Sequence, residues 1–148
     1  MPFPAANESQ GVARWIYEKL IAASGVTALI GQRAYESLAP QDTALPCVVF
    51  SLSHGVAVQA TGGCGRLLVE EDWLVKGIAE SGGYVSADAI SVQVDGALNA
   101  QSGSVVIGSV TYTIQGVFKD DPVRYMEVHA GKRIFHSGGV YRILVRAD

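Results

Sequence analysis

Apolar residues recur along this chain at spacings that mark out most of its secondary structure. Val12, Trp15, Ile16, Leu20 and Ala23 fall at three- and four-residue steps, with Arg14, Glu18 and Lys19 away from that stripe. This spacing predicts an amphipathic helix. Asn7 or Ser9 caps its start, because a side-chain oxygen there accepts a free backbone N–H. Gly25 is the predicted stop, followed by a short helical turn over 26–30 and a break at Gly31. Residues 84–99 return to helical spacing, with Ala87, Ile90, Val94 and Leu98 on one face and Asp88, Gln93 and Asp95 off it. Val92, Val94 and Gly96 are poor helix formers, so tertiary packing has to hold this second helix.

Between and after the helices the period drops to two. Residues 47–53 read as a strand with Val48, Phe50 and Leu52 on one face, entered from a polar turn carrying Pro40 and Pro46. Residues 66–79 form the longest strand candidate, interrupted by Glu70, Glu71 and Asp72, where a bulge fits. In 104–118, Tyr112, Ile114, Gly116 and Phe118 alternate with Thr111, Thr113, Gln115 and Val117, and 140–146 makes the last strand. Strands joined by short turns pair antiparallel. The expected fold is therefore α+β, a single antiparallel sheet with two amphipathic helices on one face, plus a long β-arm or loop. The whole chain reads as one domain, with residues 1–8 as a flexible N-terminal arm and 119–139 as the extended arm or loop.

That 119–139 segment resists a bland reading. It is too long for a hairpin turn, yet it holds Val123, Tyr125, Met126, Val128, Ile134 and Phe135. A solvated loop of about 20 residues with so many apolar side chains is unusual in a compact domain. Either it extends the flanking strands as an arm, or it packs against a partner.

Composition narrows the function classes. At 148 residues, 49% hydrophobic and 17% charged, the chain has a real core and is not disordered. Its net charge of −3 argues against a dedicated nucleic-acid binder. The charge is uneven: residues 1–118 hold five Lys/Arg against ten Asp/Glu, and 119–148 hold six against four. Two faces of unlike sign suit contact between neighbouring copies. Cys47 and Cys64 form no CxxC pair, which fits reduced thiols in a cytoplasmic protein. No window reaches the roughly 18 apolar residues of a membrane span, and no signal-peptide pattern opens the chain.

Candidate chemistry is thin. His54, His129 and His136 lack the close spacing of metal ligands and read as polar loop histidines, with or without Cys64. Glu70 and Asp72 share one side of a strand, opposite Glu71, and suit a solvated or salt-bridging face better than acid–base work. The loop Thr61-Gly62-Gly63-Cys64-Gly65 precedes a strand and not a helix N-terminus, so it lacks the amide array of a phosphate cradle. His136-Ser137-Gly138-Gly139 has no nucleophile-elbow pattern and reads as a turn before the last strand. No catalytic, cofactor or metal residue is expected.

Several pieces in order carry a family resemblance from about residue 12 to residue 146: Val26-Thr27-Ala28-Leu29-Ile30-Gly31 ending the first helical region, Arg33-Ala34-Tyr35, Ala39-Pro40, Leu45-Pro46-Cys47-Val48-Val49-Phe50, Trp73 in the middle strand, Ala87, Asp88 and Ile90 in the second helix, and the closing strand. In their order and spacing the chain resembles the tail-completion and tail-terminator proteins of long-tailed bacteriophages and prophages. The resemblance implies a structural, non-enzymatic protein forming a ring, usually a hexamer, on the head-proximal end of the tail tube. Such a ring stops tube growth and meets the head–tail connector, so the implied partners are itself, the tube protein and the neck protein. The implied location is the host cytoplasm during assembly, then the virion neck. The long 119–139 segment departs from the family pattern. As residues of an assembly interface the reading selects Arg66, Lys119, Arg124, Tyr125, Met126, Lys132, Arg133 and Phe135. Two other classes stand beside it: a small cytoplasmic ligand-binding or regulatory α+β domain with a pocket between sheet and helices, and a hydrolase using Glu70, Asp72 or a histidine.

Overall fold

A computed structural model describes residues 6–59 and 66–148, with backbone alone for Arg66. Three helices and six strands follow in the order α1 (Glu8–Ala22), α2 (Ser24–Ile30), β1 (Ala34–Glu36), β2 (Cys47–Gln59), β3 (Arg66–Ala79), α3 (Gly83–Leu98), β4 (Gly103–Ile107), β5 (Val110–His129) and β6 (Lys132–Ala147). The strands form one sheet in the order β1-β2-β3-β6-β5-β4.

The α+β class stands, with two amendments. The sheet is mixed, because β1 pairs parallel to β2, with Ala34 opposite Val48. Three residues are too few to show alternation, so Arg33-Ala34-Tyr35 gave no strand signal. There are three helices, since the predicted turn over 26–30 is a full short helix. The first helix ends at Ala23, whose ψ of 109° breaks the helix two residues before Gly25. Gly31, at φ 63°, closes α2 in a conformation that favours glycine.

At the N-terminus, Glu8 is already helical and Asn7 is the cap, its side chain accepting from the Gln10 N–H at 3.2 Å. The expected flexible arm over 1–8 therefore overlaps the helix at its last residues, and residues 1–5 lie outside the described ones. Glu8 in the first turn and Lys19 in the last complement the helix dipole.

The predicted helical faces form the core. Val12, Trp15, Ile16 and Leu20 of α1 and Ala87, Ile90, Val94 and Leu98 of α3 are all buried against one face of the sheet. That face supplies Phe50, Trp73, Val75, Tyr141, Ile143 and Val145. Phe50 and Trp73 meet with ring centroids 6.3 Å apart.

Two long strands replace the polar connection expected between 119 and 139. β5 and β6 stay paired from Tyr112 opposite Ala147 down to His129 opposite Lys132, so the segment is a β-hairpin arm. β3 pairs with β6 only as far as Phe135, leaving the arm tip beyond the end of β3. Bulges shift the register at Ile114/Gly116 and Lys119/Asp121 on β5, and at Leu52/His54 on β2. The first of these overturns the predicted alternation. Val117 becomes fully buried, while Phe118 turns out to solvent.

Candidate assembly surface

The arm is latched to the body at its root. On the helix-covered face, the Ser137 hydroxyl donates to Asp88 Oδ1 of α3 at 2.6 Å. Asp88 also accepts from Arg124 of β5, through Nε to Oδ1 and Nη2 to Oδ2, both at 3.3 Å. The Arg124 guanidinium lies 3.8 Å from the Tyr84 ring centroid, and Tyr84 meets Phe135 edge-on at 4.9 Å. The bond from Ser137 first, and that from Arg124 next, hold the Asp88 carboxyl below its ordinary range.

On the opposite face, Tyr125 stacks on His136 at 4.4 Å with the planes 7° apart. The Lys76 ammonium donates to the Tyr125 hydroxyl at 2.6 Å. His136 Nε2 lies 2.7 Å from Glu127 Oε1, while its Nδ1 is buried without a partner. With the proton on Nε2, that bond is satisfied; a second proton on Nδ1 would find no acceptor. Burial, the largest influence, pushes the imidazole below its ordinary value against the opposing pull of Glu127, and Lys76 adds to the depression.

His136 is thus a buried strand residue, 4% exposed, and not the expected loop histidine. Nor does the segment from His136 to Gly139 form a turn, for it lies within β6. Gly138 has to be glycine here, since a Cβ would run into Val75 O and stand 2.6 Å from Lys76 Cα. His54 is on β2 and His129 closes the arm strand. Among the described residues, no cluster of His, Cys, Asp or Glu is placed to hold a metal ion.

Of the acidic run, Asp72 accepts from Arg142 at 3.1 Å, and Arg142 also reaches Asp120 at 3.5 Å. Glu71 is 3% exposed on the core face. There it accepts from Ser9 Oγ at 2.6 Å and Trp73 Nε1 at 3.0 Å, tying the start of α1 to β3. Period-two reading placed Glu71 opposite Glu70 and Asp72; that the buried side is Glu71's follows from Trp73 and Val69 sharing its parity. Cys47 is buried, and that burial pushes its thiol up to about 11, outweighing the nearby Arg33 and Lys76. The glycine loop with Cys64 lies outside the described residues.

The structure brings most of the selected interface residues together on one arm. Lys119, Arg124, Tyr125 and Met126 lie on β5, and Lys132, Arg133 and Phe135 on β6. Arg124, Tyr125 and Phe135 are engaged in the latch and stack, whereas Met126 and its neighbour Val128 are exposed at 41% and 65%. Arg66 stands apart, opening β3 opposite Gln59. Between sheet and helices lies the core cluster. An open groove of about 820 Å³ lies instead at the arm root, against the 39–47 turn, with Pro40, Thr43, Pro46, Glu80, Glu127 and His136 on its walls.

Comparison with known proteins finds both a family and a fold. A family model described as "Tail completion protein gp17" matches residues 14–122. A chain of a solved structure titled "Virion of native gene transfer agent (GTA) particle" is similar over 95% of this chain and 98% of its own, with a TM-score of 0.70 and 20% identity. At that identity the likeness concerns the fold. No curated protein matches the chain in sequence.

Proposed function

Because the chain belongs to the tail completion protein gp17 family, and so to the structural proteins of phage-type tails, we propose that it caps the head-proximal end of the tail tube. In that position it ends tube polymerisation and joins the tail to the head connector. Its working form on this reading is a ring of identical copies, six by family analogy, contacting tube protein on one side and neck protein on the other. It assembles in the host cytoplasm and remains in the neck of the virion, without a cofactor or a catalytic step. The whole chain acts as one domain.

The observation that carries this reading is the arm, together with the family match. A latched hairpin with exposed Met126 and Val128 at its free end is a contact device, and a ring requires one surface of a copy to meet a different surface of the next. Among the described residues the sheet–helix interface holds the core cluster, and the open groove lies apart from it at the arm root. The test is light-scattering mass during size-exclusion chromatography, with and without purified tail tubes. A ring-sized species, or co-elution with tubes, is expected. A strict monomer or dimer that ignores tubes would overturn the proposal.

A further inference from the structure

We propose that the outer edge of β2 at residues 52–59 is a strand-acceptor site for the arm edge of a second copy of this chain. The inference rests on the ring reading above and adds the contact by which copies join.

The hydrogen-bond pattern identifies two free edges. Val48 N–H donates to Arg33 O and Ser37 N–H to Phe50 O, so even-numbered residues at the start of β2 turn their backbone polar groups away from β3. The bulge at Leu52/His54 switches this parity, and beyond it Gly55 and Ala57 point outward. β1 covers only Val48 to Phe50, and among the described residues no strand pairs with the edge beyond. On the other side of the sheet, Ala100 N–H donates to Val117 O and Lys119 N–H to Asn99 Oδ1, so odd residues of β5 point outward there. After the Lys119/Asp121 bulge the outward set becomes Pro122, Arg124, Met126 and Val128. β4 pairs no further than Ile114, and Pro122 falls where a missing N–H costs no bond.

Natural proteins blunt long free edges with charge, proline or cover. Residues 52–59, LSHGVAVQ, contain no Lys, Arg, Asp, Glu or Pro. An edge so undefended is suited to accept a strand, through main-chain bonds. A second copy is the occupant favoured, because the chain itself carries the matching free edge at 122–128. Residues 122–134 carry Arg124, Lys132 and Arg133 against Glu127, while 52–72 carry Arg66 against Glu70, Glu71 and Asp72. With Arg124 held by Asp88 the arm stays net positive, while with Asp72 held by Arg142 and Glu71 buried the acceptor stretch is left neutral, so it sets no like charge against the arm. The two edges occupy opposite corners of one sheet, so the pairing joins different copies through unlike surfaces, the heterologous contact of a ring.

Ala57→Pro and Met126→Pro each remove one outward N–H and leave the internal ladders intact. Each alone is expected to convert ring-sized particles to monomers of unchanged circular dichroism. Mixed one to one, the pair is expected to form dimers and stop, because only one good edge of each kind remains. Ala57→Lys, which keeps the N–H and places a charge on the acceptor, is a second probe should the proline variants misfold. Rings of normal mass from the folded variants would overturn this inference while leaving the ring itself standing. Loss with Ala57→Pro but not Met126→Pro would also overturn it, pointing to β2 paired with its own copy or with the tube. A wild-type chain that stays monomeric with tubes present would instead remove the reading beneath it.

Discussion

Ser137 and Asp88, on β6 and α3, are joined by a 2.6 Å hydrogen bond at the point where the arm leaves the body. Ser137 is only 5% exposed, and Asp88 is the shared acceptor for both Ser137 and Arg124. One carboxylate therefore ties both strands of the arm to α3.

Asp88→Ala leaves a buried hydroxyl without a partner and is expected to cost about 1–3 kcal/mol in urea unfolding. Adding Ser137→Ala should restore part of that loss. Amide exchange at residues 123–128 should quicken in the single variant. Asp88 is depressed in the folded state, so its contribution is present above the unfolded value of about 3.9 and lost as pH falls through the folded one.

Tyr141 is fully buried and donates to Asp95 Oδ1 at 2.9 Å. Burial first, and the Asp95 carboxylate second, push the phenol far up. A phenol raised in the folded state gives stability that is present below the unfolded value of about 10 and lost as pH rises above it. Tyr141→Phe should lower stability by about 1 kcal/mol at neutral pH and soften alkaline unfolding, as read by denaturation at pH 8 and 11.

His136 works in the acid direction. Its folded value is below 6.5, so its contribution is full above the unfolded value and declines as pH falls from there through the folded one. Unfolding midpoints at pH 7.5 and 5 should differ in the wild type and converge in His136→Phe, which keeps the Tyr125 stack and cannot take a proton. An undiminished pH slope in that variant would refute the assignment.

Gly77 lies beneath α3, where a Cβ would stand 2.6 Å from Ile90 Cγ2. Gly77→Ala forces α3 off the sheet and is expected to destabilise by about 1–3 kcal/mol, measured by thermal melting. Ala at Gly96, with open space around it, should be neutral or slightly stabilising.

Helical stripes were legible because each keeps one period over many residues. The 66–79 strand was legible from its length and apolar content. The bulge expected at residues 70–72 falls on the facing strand instead, between Leu52 and His54, and β3 runs unbroken along β6. Ala87, Ile90, Val94 and Leu98 emerged as the buried face they were expected to be. What the sequence hid falls at changes of parity and at contacts between distant residues. The bulge after Ile114 makes Val117 a core residue, and no local signal marks it. The burial of His136 depends on Tyr125 and Glu127 from the facing strand, 11 and 9 positions away. Seven of the eight selected interface residues lie on one arm, because β5 and β6 run through the 119–139 segment. That β2 runs on from residue 53 to Gln59 with a free edge was not legible, because a free backbone group leaves no trace in side-chain identity.

Leu52, Trp73, Tyr141 and Lys119 stand in one row across four neighbouring strands, and each outer strand carries a bulge beside that row. The row divides the molecule like a change of reading frame. Above it on β2 and below it on β5, inner and outer are assigned by a count displaced by one. Deleting Ser53 or Asp120 would thus exchange the two faces along every residue beyond, turning a one-residue edit into the inversion of a whole strand end.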